Sequence, residues 1–135
     1  MNFSIMKRII IDTNFLMVPS KFKVDIFSEF NRLCHFNYEL CIFDKSINEL
    51  ENIIEKQSLK EKRFAKFALK LIEVKKLKII KSEEKEQKDV DLLILNNLNK
   101  DTIVATQDME LKREILKKAV PIITLRKKQY LILVN

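Results

Sequence analysis

The stretch Lys7-Arg8-Ile9-Ile10-Ile11-Asp12-Thr13-Asn14 decides how this chain is read. Three consecutive β-branched apolar residues predict a short strand covered on both faces, the kind found in a parallel sheet. The run stops abruptly at a carboxylate, a hydroxyl and an amide. In open α/β sheets, ligands bind beyond the carboxyl ends of the strands. Asp12 therefore falls where a crevice is expected, at a strand terminus that has no structural need of an acid.

The pattern continues outward from that strand. Phe15–Pro19 reads as an apolar connector closed by proline. Lys23–Phe36 carries Ile26, Phe27, Phe30, Leu33 and Cys34 at helical spacing. Glu39–Phe43 is a second buried strand, and Asp44–Gln57 a helix with Ile47, Leu50, Ile53 and Ile54 on one face. Leu59–Lys76 is a third helix, striped by Phe64, Phe67, Ala68, Leu71 and Ile72. Leu77–Ile80 is a strand and Lys81–Lys88 a charged, solvated loop. Val90, Leu93, Ile94 and Leu98 mark a helix, Thr102–Thr106 a strand, and Leu111, Ile115 and Ala119 a further helix. Pro121–Leu125 is a fifth strand; Tyr130–Val134, after the basic link Arg126-Lys127-Lys128, reads as an edge strand. Strands alternating with helices predict an α/β fold, a three-layer α/β/α sandwich around a central, mainly parallel sheet of four to five strands, in a single domain over residues 1–135.

Composition narrows the chemistry. The 135 residues carry 26 Lys+Arg against 19 Asp+Glu, a net charge of +7. That balance suits a polyanionic partner, with a lysine-rich solubility surface as the plain alternative. The chain has no glycine, which excludes a Walker A loop and a GxGxxG turn, both of which need glycine where the backbone meets phosphate. Cys34, Cys41 and the single histidine, His35, lack zinc-ligand spacing and read as packing residues in a reducing compartment. No apolar run approaches the roughly 18 residues needed to span a bilayer, and no signal-peptide pattern is seen. The expected location is the cytoplasm, with no membrane partner.

Four carboxylates stand just after a strand or in the first turns of the next helix: Asp12, Glu49, Asp91 and Asp108. On a parallel sheet they reach one edge. Two charges about 4 Å apart repel by roughly 4 kcal/mol near a protein surface, so such a cluster asks for a cation. Oxygen ligands without histidine or cysteine suit a hard ion, Mg²⁺ or Mn²⁺, able to orient a water for attack on a phosphodiester. Plain structural roles compete. Glu49 has the spacing of a capping box with Ser46, and Asp91 and Asp108 favour helix N-termini. Asp44 reads as an N-cap; Asp89 and Asp101 read as loop or cap residues. Asn14 and Thr106 are placed to hydrogen-bond the acids, or to serve as ordinary turn and cap residues.

Taken together, Ile9–Asn14, Ser46-Ile47-Asn48-Glu49-Leu50, Asp89–Ile94 and Val104–Lys112 resemble the PIN domain family, in the right order and over nearly the whole chain. The ending Pro121–Arg126 resembles an archaeal, ribosome-processing-like branch; VapC-like members form another. The resemblance implies that Asp12, Glu49, Asp91 and Asp108 chelate Mg²⁺ or Mn²⁺ and that the protein cleaves RNA. It would act either as the toxin of a toxin–antitoxin pair, with an antitoxin partner, or as an RNA-processing nuclease. A homodimer fits the family. Lys45, Arg113, Arg126, Lys127 and Lys128 are candidates for drawing in the RNA backbone. The alternative is a catalytically silent RNA-binding or assembly module. A phosphoacceptor receiver domain fits less well, because Asp12-Thr13-Asn14 lacks the paired acids it needs.

Overall fold

Strand β1 (Lys7–Ile11) forms where the isoleucine run requires it, and Ile9, Ile10 and Ile11 are fully buried. Successive strand side chains point to opposite faces, so one strand serves two cores. Ile9 and Ile11 pack with Phe15, Phe30, Ile42, Leu50, Ala65 and Ala68, whereas Ile10 packs with Cys41, Phe43, Leu93, Ile94, Val104 and Ile115. The computed structural model describes residues 5–83 and 89–135.

From β1 the chain runs through a 3-10 turn (Thr13–Met17), α1 (Val18–Phe22), α2 (Ile26–Leu33), β2 (Tyr38–Phe43), α3 (Asp44–Lys56), α4 (Leu59–Val74), β3 (Lys78–Ile80), α5 (Val90–Asn96), β4 (Thr102–Ala105), α6 (Met109–Lys117), β5 (Ile122–Arg126) and β6 (Tyr130–Val134). The sheet order is β3-β2-β1-β4-β5-β6. All neighbours pair in parallel except β5 and β6, which form an antiparallel hairpin. Residues of α2, α3 and α4 fill the Ile9/Ile11 core, and residues of α5 and α6 fill the Ile10 core. The α/β/α sandwich is thus as expected, but with six strands rather than four to five, because Tyr130–Val134 completes an edge. Among the described residues no helix is long and apolar enough to cross a membrane.

Several local expectations change. The connector Phe15–Pro19 is helical: Pro19 sits in the first turn of α1, where its missing N–H costs nothing, and so opens a helix rather than closing a loop. Helix α2 is shorter than Lys23–Phe36 because Asp25 caps it, accepting from the Phe27 and Ser28 amides at 3.1 and 3.2 Å. Asp44 is not an N-cap. Phe43 occupies that position, and Asp44 Oδ1 accepts instead from the Lys45 and Ser82 amides. On α4, Ala65, Ala68 and Ile72 are buried while Phe67 is 47% exposed, so the core-facing stripe is rotated from the expected one. Ala119 lies past the end of α6. The expected loop Lys81–Lys88 falls mostly outside the described residues.

The lack of glycine has a visible consequence. Lys23, Lys76, Ala119, Lys127 and Lys128 all have φ between 52° and 58°. Lys127 and Lys128 are the central residues of the β5–β6 turn, closed by Gln129 N donating to Arg126 O at 3.1 Å. Hairpins of this hand are normally built with Asn-Gly, and a left-handed conformation costs an ordinary residue about 1–2 kcal/mol.

Candidate active site

In the strand order β2-β1-β4-β5, the direction of progression reverses between β1 and β4. A crevice opens at the carboxyl ends of strands at such a point. Asp12 follows β1 and Thr106 follows β4, and the Thr106 hydroxyl donates to Asp12 Oδ2 at 2.9 Å across that junction. Asp12 Oδ1 caps the 3-10 turn, accepting the Thr13 amide at 2.9 Å. Asp12 is only 5% exposed.

Thr13 links Asp12 to helix α3. Its Oγ1 lies 2.8 Å from Ser46 Oγ and also hydrogen-bonds the Glu49 carboxylate. A hydroxyl has one proton to give, so the Thr13 proton serves the carboxylate and Ser46 donates in turn. Ser46 is completely buried. The Ser46–Glu49 spacing is therefore not a capping box, since α3 already begins at Asp44; both residues face Thr13 instead. Replacing Thr13 by valine keeps the volume but strips Ser46 and Glu49 of this partner. The expected cost is about 1–3 kcal/mol, read as a lower urea midpoint, and Thr13→Ser should recover most of it. Equal midpoints for wild type and Thr13→Val would show that the hydroxyl does not hold Glu49.

The other acids come from the opposite layer. Asp89 caps α5, accepting the Asp91 amide at 2.9 Å, and Asp91 follows in the first turn. Asp108 caps α6, accepting the Leu111 amide at 2.9 Å, while its own N–H donates to Thr106 Oγ1. Asp89 is the cap read from the sequence, and Asp108 stands at a helix N-terminus as expected. Asp12, Glu49, Asp91 and Asp108 line one cavity of about 360 Å³ together with Asn14 and Asp89. Thr13, Asn52 and Ile53 also line it and were missed in the sequence; Asn52 lies three residues after Glu49, and that spacing was the only signal.

Burial and crowding show in the electrostatics. Asp12 is pushed up to about 6, by desolvation first and then by the charges of Glu49 and Asp108, against the hydrogen bonds from Thr106 and Thr13. Asp91 is also pushed up to about 6, by desolvation and by Asp12, Asp108, Asp89 and Glu110. Glu49 moves upward by desolvation and by Asp91 and Asp89, against its bond from Thr13. The donor set is all carboxylate oxygen, and Asp12, Glu49 and Asp91 are each raised in part by neighbouring acids, which fits a hard divalent cation. Among the described residues no three of these groups are gathered to chelate one ion as they stand. Glu49 is turned to Thr13, and Asp108 Oδ1 to the Leu111 amide.

The basic candidates fall around this edge unevenly. Lys45 borders a second cavity with Asn48, Glu49 and Asn52, next to the acids. Arg126, Lys127 and Lys128 form the β5–β6 turn, at the carboxyl end of the parallel strand β5. Lys128 Nζ lies 5.7 Å from the Phe22 ring centre. Arg113 is exposed on α6 and does not line the acid cavity.

Comparison with known proteins agrees with this architecture. The chain is 32% identical over 127 residues to ribonuclease VapC4 of Methanocaldococcus jannaschii, covering 93% of this chain and 95% of that protein. Its fold is similar to the PIN domain endonuclease Utp24, with a TM-score of 0.77 and 24% identity over 93% of this chain and 90% of the other. It is also similar, at a TM-score of 0.56 and 14% identity, to a domain of a functionally unknown protein from Methanocaldococcus jannaschii, covering 89% of this chain and 91% of that one. The family model described as a PIN like domain matches residues 9–128, from the first strand to the β5–β6 turn, and the chain belongs to that family.

Proposed function

We propose that this protein is a divalent-metal-dependent endoribonuclease, with Asp12, Glu49, Asp91 and Asp108 as its metal ligands and catalytic acids. The observation that supports this reading most is the convergence of four acids from separate elements on one crevice, with Asp12 and Asp91 raised to about 6. A carboxylate cluster that disfavours its own charge is poorly suited to hold a fold and well suited to hold a cation. Mg²⁺ or Mn²⁺ held there would supply Lewis-acid chemistry for phosphodiester hydrolysis.

The chain's own residues divide the remaining work. Thr106 and the Thr13 amide orient Asp12, and Thr13 with Ser46 orients Glu49. The α6 cap fixes Asp108. Asn14, on the cavity wall, is placed to hydrogen-bond a water or a phosphate oxygen. Lys45 and the turn residues Arg126–Lys128 supply positive charge at the rim. The similarity to a VapC ribonuclease supports RNA as substrate, an antitoxin protein as partner and action in the cytoplasm; a homodimer is in keeping with the same family.

The test is cleavage of a labelled single-stranded RNA with Mg²⁺ or Mn²⁺. Fragments should appear with either ion, stop on chelation and return on adding the ion back. RNA binding without cutting under every metal condition would overturn the enzyme and leave a silent RNA-binding module.

A further inference from the structure

Two cations, Lys112 and Arg126, stand on the two elements next to Asp108, α6 and β5. Lys112 stands one helical turn after Asp108 on α6, and Arg126 ends β5 at the same edge of the sheet. Gln107 ties these two elements together. Its Oε1 accepts both the Thr124 hydroxyl, at 2.6 Å, and the Leu125 amide, so the segment leading into α6 is fastened to β5 one residue before Arg126. Lys112 is partly buried, and its proton affinity is held below the ordinary lysine range by desolvation and then by Arg126, against the pull of Asp108. Among the described residues neither side chain makes an ion pair.

Like charges near one another raise the free energy of the ligand-free protein, and an anion bound between them lowers that cost. The far wall is of opposite character. The cavity between α5 and α6 is lined by Asp89, Asp91, Asp108, Glu110 and Glu114, with no cation. A phosphate backbone is repelled there and attracted at the Lys112–Arg126 side.

We infer that Lys112 and Arg126 together form a phosphate subsite that holds one backbone phosphate of a bound RNA next to Asp108, so that the strand enters from the β5–β6 side and not over the α5–α6 groove. This rests on the RNA-nuclease reading above, but it concerns binding and is measured without turnover.

The experiment is fluorescence anisotropy of a labelled single-stranded RNA in EDTA, titrated with wild type, Lys112→Gln, Arg126→Gln and the double variant across a salt series. Each single change should weaken binding about 10-fold, as loss of a charge-assisted phosphate contact does, and lower the salt slope by about 1. Because both side chains would serve one phosphate, the double variant should fall well short of 100-fold. Lys117→Gln, at the far end of α6 and paired with Glu114, is the control and should bind like wild type. Inorganic sulfate should raise the melting temperature of wild type more than that of the double variant, a readout independent of RNA. Unchanged affinity and salt slope in folded Lys112→Gln and Arg126→Gln would overturn the subsite, even for an active nuclease. Weakened binding by both variants of a protein that never cuts RNA would keep the subsite and remove the nuclease.

Discussion

Asp12→Asn should abolish RNA cleavage and, in metal-free buffer at neutral pH, make the protein more stable. Loss of a carboxylate that holds a catalytic cation removes several kcal/mol of transition-state stabilisation, so cleavage should fall by roughly 10³-fold or more. The stability effect follows from the same burial. Burial pushes the Asp12 carboxyl up to about 6, from an ordinary 3.8. Its folded-state pKa is raised, so folding favours the protonated form. The contribution is fully present below about pH 4 and is lost as pH rises through about 6, where the buried group must carry its charge. A difference of about 2 units corresponds to about 3 kcal/mol of destabilisation at pH 7.5. Asparagine keeps an oxygen for the Thr13 amide and carries no charge. In EDTA at pH 7.5 the variant should therefore gain up to about 3 kcal/mol, some 10 °C in melting temperature for a chain of this size. Near pH 4 the gain should vanish. Mn²⁺ should reverse the order, stabilising wild type in proportion to its occupancy and leaving the variant nearly unmoved. A variant that is less stable than wild type at pH 7.5 in EDTA, or equally shifted at both pH values, would remove the charged cluster as the cause.

Phe30→Ala carries the largest expected loss of stability. Phe30 is fully buried, its ring 6.3 Å from Phe15 and 6.2 Å from Phe27. Truncating a buried phenylalanine costs about 3–5 kcal/mol through lost transfer energy and the cavity left behind. Net stabilities run at about 5–15 kcal/mol, so this change uses a large share. It also reaches the site, because Phe15 lies in the 3-10 turn that Asp12 caps. The urea midpoint should fall sharply and any nuclease activity should be lost at lower temperature than in wild type. Phe30→Leu, which refills most of the space, should lose less than half as much. A loss under about 1 kcal/mol for Phe30→Ala would mean that the aromatic cluster relaxes freely and does not support the turn.

Much of this arrangement was legible in particular residues. Ile9-Ile10-Ile11 announced a strand covered on both faces, and their burial in two cores bears this out. Asp12, Asp91 and Asp108 stood out because each follows a strand or opens a helix. Other features were not legible. Ser46 and Glu49 had the spacing of a cap, and nothing local showed that both residues serve Thr13, more than 30 positions away. Pro19 read as a stop because proline ends and begins helices with the same side chain. Phe67 has helical spacing with the core residues but lies on the solvent side of α4, since periodicity gives the existence of a stripe more securely than its centre.

By itself, the order of residues determined the alternation of strands and helices, the parallel α/β class and which acids stand at element ends, because these depend on short-range periodicity and backbone preference. Only the tertiary structure decided that β1 and β4 are neighbours at the reversal of strand order, that Thr106 reaches Asp12, and that Gln107 fastens the start of α6 to β5. Those relations join residues 17 to 94 positions apart. They are set by the packing of two helical layers on one twisted sheet, and no local stretch of the chain carries that information.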